Sequence, residues 1–149
     1  MEFSVNRITE YADKCDAALN HNYTRSRVED QLGKQLVNWS VYKAFEEKDM
    51  LLLVTAEEDG ELAGFALYVM YIHPHHPYAH LGQCQFLIVQ PQYRGKGLGR
   101  QLVEQAMVWL KRRGCTHILH NRRMAYDIEP LFPKIGFDKF EETYVKELK

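Results

Sequence analysis

The chain has 149 residues, of which 46% are hydrophobic and 26% are charged, a composition that fits one globular domain with a substantial core. The net charge of -1 provides no overall basic field, which argues against nucleic acid as a partner. The N-terminus lacks the apolar core of a signal peptide, and no apolar run approaches the roughly 20 residues that cross a bilayer, so we expect no membrane partner. Three widely spaced cysteines predict reduced thiols and a cytoplasmic location.

The first half of the chain predicts a strand, two helices and a hairpin. Residues 3–8 alternate as a strand does, whereas residues 9–20 and 28–46 carry apolar side chains at the three- and four-residue spacing of helices. Residues 50–72 contain two β-rich runs around an Asp-Gly pair, which is a typical tight hairpin turn.

The second half begins with residues 73–80, where two prolines predict irregular structure. Residues 83–89 predict a strand that is buried on both faces, and residues 98–112 predict an amphipathic helix that ends at Gly114. A short strand, a short helix with a strand after it, and a final strand are predicted at residues 117–120, 128–137 and 141–148. The order of elements predicts an α/β fold with a mixed sheet, in a single domain over residues 1–149.

A glycine-rich turn lies between the strand at 83–89 and the helix at 98–112. Its sequence is QYRGKGLG, residues 92–99, and its glycines let backbone N–H groups face a concave loop at the start of a helix. Such a turn suits a phosphate or pyrophosphate, and Arg94, Lys96 and Arg100 add cationic donors. The sequence matches neither the P-loop nor the dinucleotide-binding pattern. The alternative is a tight structural turn with solvated cations.

The same segment, IVQPQYRGKGLGRQLVEQAMVWLKRRG, resembles the acyl-CoA-binding motif of the GNAT superfamily of N-acetyltransferases, [QR]-x-x-G-x-[GA]. The motif fits from Arg94 and, in a second register, from Gln92. The segment LFPKIGF, residues 131–137, is similar to the family's LYEKLGF. The resemblance implies a GNAT-like fold, in which helices flank a central, mixed and mostly antiparallel sheet whose strands splay at the CoA site.

The resemblance also implies a reaction and a cofactor site. The protein would transfer an acetyl group from acetyl-CoA, as co-substrate, to a primary amine of a small molecule or a protein. The amine would attack directly, through a tetrahedral intermediate held by backbone donors. Dimers are frequent in the family, so a homodimer is one alternative. The loop amides would hold the pyrophosphate and the strand end would pair with the pantetheine arm, which implies a cofactor site of Leu87, Ile88, Val89, Gln92, Arg94, Gly95, Lys96, Gly97, Leu98, Gly99, Arg100 and Phe132.

The chain departs from the family pattern at both proton-transfer positions. Phe132 occupies the place of the tyrosine that protonates the leaving thiolate. Asn121, Tyr126 and Tyr144 are possible substitutes, with Tyr126 as the candidate acid, and the alternative is that the CoA thiolate leaves unassisted. The segment AHLGQCQF, which precedes the CoA loop, lacks the usual glutamate base, so His80 is the candidate base.

Two further interpretations follow from these departures. The protein could be a non-catalytic acyl-CoA-binding sensor or regulator that has lost its acid and base. The histidines at 73, 75, 76 and 80 raise the question of a metal, but no acid or cysteine lies nearby at ligand spacing, so we expect none.

Overall fold

The computed structural model describes residues 1–22, 32–33, 35–121 and 131–148. The chain divides into two compact units. One consists of Met1–Tyr23 with Asn38–His120, and the other of Thr24–Val37 with Asn121–Lys149. The single domain over residues 1–149 stays a prediction. None of the described helices is both long and apolar enough to cross a membrane.

The first unit is an α/β assembly that follows the predicted order of elements. Its described elements are β1 (Glu2–Asn6), α1 (Ile8–His21), α2 (Trp39–Glu47), β2 (Leu51–Glu58), β3 (Glu61–His73), β4 (His76–Val89), α3 (Leu98–Arg112) and β5 (His117–Leu119). A 3₁₀ turn at Pro91–Tyr93 lies between β4 and α3. In the second unit, α4 covers Leu131–Lys134.

The five strands form one mixed sheet in the order β1-β2-β3-β4-β5. The first three pairings are antiparallel, and β4 pairs with β5 in parallel because α3 forms the crossover between them. The β2–β3 hairpin turns at Asp59 and Gly60, whose φ angles of 52° and 82° are the left-handed pair that the Asp-Gly sequence predicts. The predicted mixed, mostly antiparallel sheet flanked by helices is therefore confirmed.

Hydrophobic clusters cover both faces of the sheet. On one face, side chains of β2 and β3 pack against the buried stripe of α3, which consists of Leu98, Leu102, Val103, Ala106 and Leu110. On the other face, alternate residues of the same strands pack against α1 and, at its partly buried aromatic residues, α2. Because β2 and β3 are buried on both faces, their sequences are continuous apolar runs. Antiparallel strands more often alternate apolar and polar residues, since one of their faces is commonly exposed to solvent.

The helix predicted at 28–46 is wrong as one continuous element. Residues 35–38 are not helical, and α2 begins at Trp39, whereas residues 28–31 and 34 lie outside the described residues. The physical reason is Gly33, whose φ of 88° is incompatible with a right-handed helix. Leu32 and Leu36, which belong to the apolar stripe of the predicted helix, are 73% and 82% exposed.

The irregular segment predicted at 73–80 is also corrected. Strand β3 continues to His73 and β4 begins at His76, so the hairpin extends through the proline-containing stretch. The pairing is irregular there, because Ile72 pairs with His80 and His73 with His76, which leaves Pro77 outside the ladder. A proline is tolerated in a strand at such a position because no ladder hydrogen bond needs its missing N–H.

Residues 83–89 form a strand as predicted, but they are half-buried rather than buried. They contact both clusters, with Leu87 and Val89 on one face and Phe86 and Ile88 on the other. Their remaining exposure arises because β5 is short and pairs with β4 at three positions. Edge coverage by a neighbouring strand is a tertiary property that an apolar run does not encode.

The strands predicted after α4 and at 141–148 are wrong, since residues 135–148 contain no strand. Tyr144 and Leu148 are 86% and 91% exposed. Alternating apolar residues form a strand when a neighbouring backbone accepts their hydrogen bonds, and here no described strand pairs with them.

Candidate active site

The turn between β4 and α3 is shaped by two glycines in the left-handed conformation. Gly95 and Gly97 have φ angles of 75° and 78°, and Gly97 is the N-cap of α3. A side chain at either position would be strained even though nothing lies within 4 Å of where its Cβ would be. Gly99 has no positive φ, and its Cβ would make an ordinary 3.7 Å contact with Val89. The motif therefore needs Gly95 and Gly97 for backbone geometry.

The turn contains a row of backbone donors that have no acceptor among the described residues. Gly95, Lys96 and Gly97 donate no hydrogen bond to another described residue, and the first helical bond runs from Gln101 N to the Gly97 carbonyl at 3.1 Å. The first turn of α3 has no side-chain cap and no acidic residue. Because the first amides of a helix lack internal acceptors and carry partial positive charge, this end of the 15-residue helix attracts an anion.

The three cations of the motif differ in their contacts. The guanidinium of Arg94 is held by two contacts within the protein. Its Nε donates to the Val89 carbonyl at 3.0 Å, and its Nη2 contacts the side-chain oxygen of Asn22. Arg100 pairs with Glu104 at 2.7 Å on the exposed face of α3. Lys96 is exposed and makes no ion pair with a described residue. Arg94 thus has a structural part in the turn, whereas Lys96 projects a charge beside the row of amides.

Asn22 is a site residue that the sequence interpretation missed. It is 8% exposed and ends α1, far from the motif in sequence. Its amide nitrogen donates to the Ala18 carbonyl at 2.7 Å and to Oε1 of Gln90 at 2.9 Å, while its oxygen accepts from Arg94. An asparagine at a helix C-terminus is common, so nothing in the local sequence indicates that this one braces the loop.

The outer edge of β4 becomes free where β5 ends. The parallel ladder joins Leu81, Gly82 and Gln83 to β5, and β4 then runs on to Val89 with no further partner on that side among the described residues. A bulge at Gln85 interrupts the β3–β4 register, since Tyr68 pairs with Cys84 and Leu67 with Phe86. In an antiparallel pair alternate residues point their N–H and C=O groups away from the partner. This free edge therefore offers hydrogen bonds to an extended ligand that leads to the glycine turn.

A partly buried polar cluster lies where β4 and β5 separate. The Tyr68 hydroxyl of β3 is 2.8 Å from Nε2 of His120, which follows β5, and their rings meet edge to face at 5.4 Å. Burial lowers the pKa of His120 to about 4 and raises the pKa of Tyr68 well above its usual value. The Cys84 thiol donates to the Phe86 carbonyl at 3.3 Å and also hydrogen-bonds with Tyr68, which further raises the pKa of that phenol. Sequence analysis did not single out these three residues.

The predicted catalytic residues are not brought together by the described structure. His80 is exposed at the opposite end of β4, where its N–H donates to Thr116 Oγ1 at 3.0 Å. It precedes Val89 by nine residues, a span of about 30 Å in an extended strand. Tyr126 lies outside the described residues. Phe132, in the second unit, packs its ring against Phe137 at 5.4 Å.

The histidines of the β3–β4 turn stack on one another without forming a ligand set. The ring of His73 lies 4.7 Å from that of His76 and 5.9 Å from that of His75. No group of three or more His, Cys, Asp or Glu side chains in the described parts of the chain is arranged to hold a metal ion.

Comparison with known proteins identifies the family. The acetyltransferase (GNAT) family model matches residues 13–137, which span both the glycine turn and the LFPKIGF segment. The chain belongs to the GNAT acetyltransferase family. It is therefore an acyltransferase, and its family uses acetyl-CoA. No curated protein sequence matches the chain significantly.

Solved structures of other acetyltransferases share the fold of this GNAT protein. A ribosomal-protein-alanine N-acetyltransferase from Brucella melitensis has a TM-score of 0.71 at 18% identity, with 99% of this chain and 98% of that chain covered. A glucosamine-6-phosphate N-acetyltransferase from Arabidopsis thaliana has a TM-score of 0.71 at 16% identity, with both chains fully covered at 100%. The aminoglycoside N-acetyltransferase AAC(6')-Iy, solved in complex with CoA, has a TM-score of 0.73 at 14% identity, with 99% of each chain covered.

Proposed function

We propose that this protein transfers the acetyl group of acetyl-CoA to a primary amine by direct attack of the amine on the thioester. The observation that carries the proposal is the continuity of the free edge of β4 with the glycine turn and the uncapped N-terminus of α3. An extended pantetheine arm can accept and donate hydrogen bonds along the edge, and a pyrophosphate suits the amides of the turn. Acetyl-CoA supplies the activated carbonyl.

We assign the parts of the cofactor site as follows. The amides of Gly95, Lys96 and Gly97, with the first turn of α3, would hold the pyrophosphate, while the Lys96 ammonium adds charge. Leu87 to Val89 would pair with the pantetheine arm, and one of their amides would polarise the thioester carbonyl as negative charge develops on its oxygen. A direct attack needs no covalent enzyme intermediate. Most of the rate enhancement would therefore come from positioning the two substrates and polarising the thioester carbonyl.

The acceptor is proposed as a class. The structural neighbours are named for a ribosomal-protein alanine, glucosamine 6-phosphate and aminoglycosides, and each of these offers a primary amine. The leaving group would depart as the CoA thiolate. A thiol with a pKa near 8.5 needs modest assistance, which fits a phenylalanine at position 132. Three widely spaced cysteines without a CxxC pair favour a reducing, cytoplasm-like compartment.

Calorimetric titration with acetyl-CoA tests the cofactor site. We expect micromolar binding that weakens about tenfold in Lys96→Glu, because the reversed charge lies beside the pyrophosphate. Lys111→Glu makes the same change of charge at the other end of α3, so it is the matched control, for which we expect the affinity of the intact protein. Absence of binding by the intact protein up to about a millimolar would overturn the proposal.

Thiol release with an amine panel then tests turnover. The panel contains a peptide with an N-terminal alanine, glucosamine 6-phosphate and kanamycin, the classes for which the neighbours are named. We expect acetyl-CoA-dependent thiol release with at least one of them. Binding of acetyl-CoA without thiol release from any amine would support a non-catalytic acyl-CoA sensor instead, in keeping with Phe132 in place of the usual tyrosine.

A further inference from the structure

We propose that the acceptor is a monoamine that carries an apolar, preferably aromatic group, and that Trp39 and Phe86 select it by packing against that group. The proposal rests on the proposed acetyl transfer and deepens it, because it names the substrate class of the same site. Trp39 is the first residue of α2, and Phe86 lies on β4 beyond the last residue that pairs with β5. The aromatic surface therefore continues into the edge that would hold the cofactor.

The β-bulge at Gln85 turns Phe86 towards the side of the sheet that α2 covers. Residues two apart in a regular strand share a face, yet Cys84 packs in the cluster beside α3 and Phe86 in the cluster beside α1 and α2. The reason is the extra residue of β4 between the pairs Tyr68–Cys84 and Leu67–Phe86. The bulge thus places a phenyl ring on the α2 side of the free edge.

The indole of Trp39 lies beside this phenyl ring and is held in one orientation. The ring centroids of Trp39 and Phe86 are 6.3 Å apart, with their planes tilted by 38°. Nε1 of Trp39 donates to Oδ1 of Asp16 on α1 at 2.8 Å, and a hydrogen bond to a carboxylate is among the stronger ones. Both rings are partly exposed, so they offer apolar surface to a ligand.

The distance along β4 brings the thioester to the same place. Phe86 precedes Val89 by three residues and Gln83 precedes it by six, which is about 10 Å and about 20 Å of extended strand. An extended pantetheine arm has a length within this range. A cofactor whose pyrophosphate is held at the glycine turn would therefore present its thioester between Gln83 and Phe86, beside the aromatic surface.

The polar side chains that β4 adds here are neutral amides. Oε1 of Gln83 accepts from the Tyr71 hydroxyl at 2.8 Å, and Nε2 of Gln85 donates to the Gln83 carbonyl at 3.3 Å. The charged group that contacts the indole is the single carboxylate of Asp16. One carboxylate suits one ammonium, and apolar area packed on the rings supplies the remaining binding free energy. This chemistry favours an apolar monoamine over a polycation or a sugar phosphate.

The first experiment measures kcat/KM by thiol release along a series of amines. The series is ethylamine, butylamine, hexylamine and phenethylamine, with kanamycin and glucosamine 6-phosphate for comparison. We expect kcat/KM to rise about fourfold for each methylene that packs on the rings, and phenethylamine to exceed kanamycin and glucosamine 6-phosphate. Equal values for ethylamine and phenethylamine would overturn the inference.

The second experiment compares Trp39→Leu with the matched control Trp109→Leu. Trp109 is also partly buried, but it packs on the α3 face of the sheet, where Arg112 lies 5.0 Å from its ring centroid. We expect Trp39→Leu to lower the ratio of kcat/KM for phenethylamine to that for ethylamine about tenfold, with unchanged affinity for acetyl-CoA. The control should keep the ratio of the intact protein.

The ratio is informative because both amines are measured on one preparation, so a loss of folded protein cancels. A ratio in Trp39→Leu equal to that of the intact protein would overturn the inference.

Fluorescence tests the contact without turnover. The chain has two tryptophans, so Trp109→Phe leaves Trp39 as the reporter. In the presence of CoA, we expect phenethylamine to change the Trp39 emission saturably and ethylamine to leave it nearly unchanged. This variant keeps Trp39, so the test remains decisive if Trp39→Leu does not fold. Absence of a saturable change up to about 10 mM phenethylamine would overturn the inference.

The outcomes separate this inference from the proposed function. If the intact protein releases thiol but prefers kanamycin or glucosamine 6-phosphate to phenethylamine, the inference is overturned and acetyl transfer stands. If the intact protein binds no acetyl-CoA, or binds it and releases no thiol with any amine, acetyl transfer is overturned and the inference falls with it.

Discussion

Nε of Arg94 lies 3.0 Å from the carbonyl oxygen of Val89, so this cation of the glycine motif ties the turn back to the strand that precedes it. The other side of the same guanidinium contacts the side-chain oxygen of Asn22 at the end of α1. One planar group thereby joins a helix end and a strand end, and the row of turn amides is held between them.

Replacement of Arg94 by lysine should weaken acetyl-CoA binding although the charge is kept. A single ammonium on a flexible stem does not reproduce the planar fork that spans Val89 and Asn22, so we expect a loss of about 1 kcal/mol, or roughly fivefold in affinity. Calorimetry measures it, with Lys111→Arg as the control for exchange between the two cations. Affinity equal to that of the intact protein would mean that the charge of Arg94 matters and its geometry does not.

Asn22→Ala should lower both stability and cofactor affinity. The substitution removes the acceptor of Arg94 and the donor to the Ala18 carbonyl and Gln90, so buried polar groups lose their partners. We expect the free energy of unfolding to fall by about 1–3 kcal/mol, measured by urea titration. Asn20→Ala, on the exposed side of the same helix end, should change it little, since Asn20 bonds weakly to Asp16 at 3.3 Å. Equal effects of the two variants would contradict the bracing role of Asn22.

Gly64→Ala should destabilise the sheet next to the free edge of β4. A Cβ at position 64 would lie 2.6 Å from the backbone oxygen of Ile88, and a backbone atom in a paired strand has little room to move. We expect a loss of about 1–3 kcal/mol in the free energy of unfolding. Gly60→Ala is the comparison, because its Cβ meets nothing within 4 Å and its effect is limited to the strain of a φ of 82°, about 1 kcal/mol. A smaller effect at Gly64 than at Gly60 would contradict the prediction.

Stability should decrease as the pH falls from about 6.5 to about 4 because of His120. Its pKa is lowered from 6.5 to about 4 by burial, so in this range the unfolded chain binds a proton that the folded chain does not. The contribution is fully present above pH 6.5, and about 3 kcal/mol is lost by the time the pH reaches the folded pKa. Urea titrations at several pH values should show a smaller slope for His120→Gln than for the intact protein. An unchanged slope would mean that His120 is not protected from protonation.

Glu46→Gln should weaken the start of α1. Its carboxylate accepts from the Ile8 N–H at 2.5 Å and from the Thr9 hydroxyl at 2.7 Å, and it lies 3.5 Å from Arg7. Burial raises the pKa of Glu46, but these hydrogen bonds and Arg7 outweigh it, and the net pKa is lowered. The stabilisation is therefore present above the unfolded pKa and is lost as the pH falls through the folded one.

We expect Glu46→Gln to lower the free energy of unfolding by about 1 kcal/mol at pH 7. Glu47→Gln removes the same charge from an exposed neighbour and should have little effect. A comparable loss in both variants would assign the effect to overall charge rather than to the capping of α1.

The strongest sequence predictions concern elements whose pattern is local. Residues 98–112 form α3 with the predicted stripe buried, and the Asp-Gly hairpin has the predicted left-handed turn, because side-chain periodicity and turn chemistry act within a few residues. The helix predicted at 28–46 failed at Gly33, where one positive φ outweighed the helical spacing on either side. The strand predicted at 141–148 failed because alternation does not supply a pairing partner.

The sequence by itself determined the family and the glycine turn, since glycines that need positive φ and a strand followed by a helix are encoded locally. The tertiary structure decided which residues support that turn and where β4 continues beyond β5 with no further partner among the described residues. Asn22 reaches Arg94 across 72 positions and Tyr68 reaches His120 across 52, through contacts made when the sheet and its helices pack. Local periodicity does not encode such pairs. The hydrophobic free energy that brings them together is gained when segments far apart in the sequence pack and exclude water.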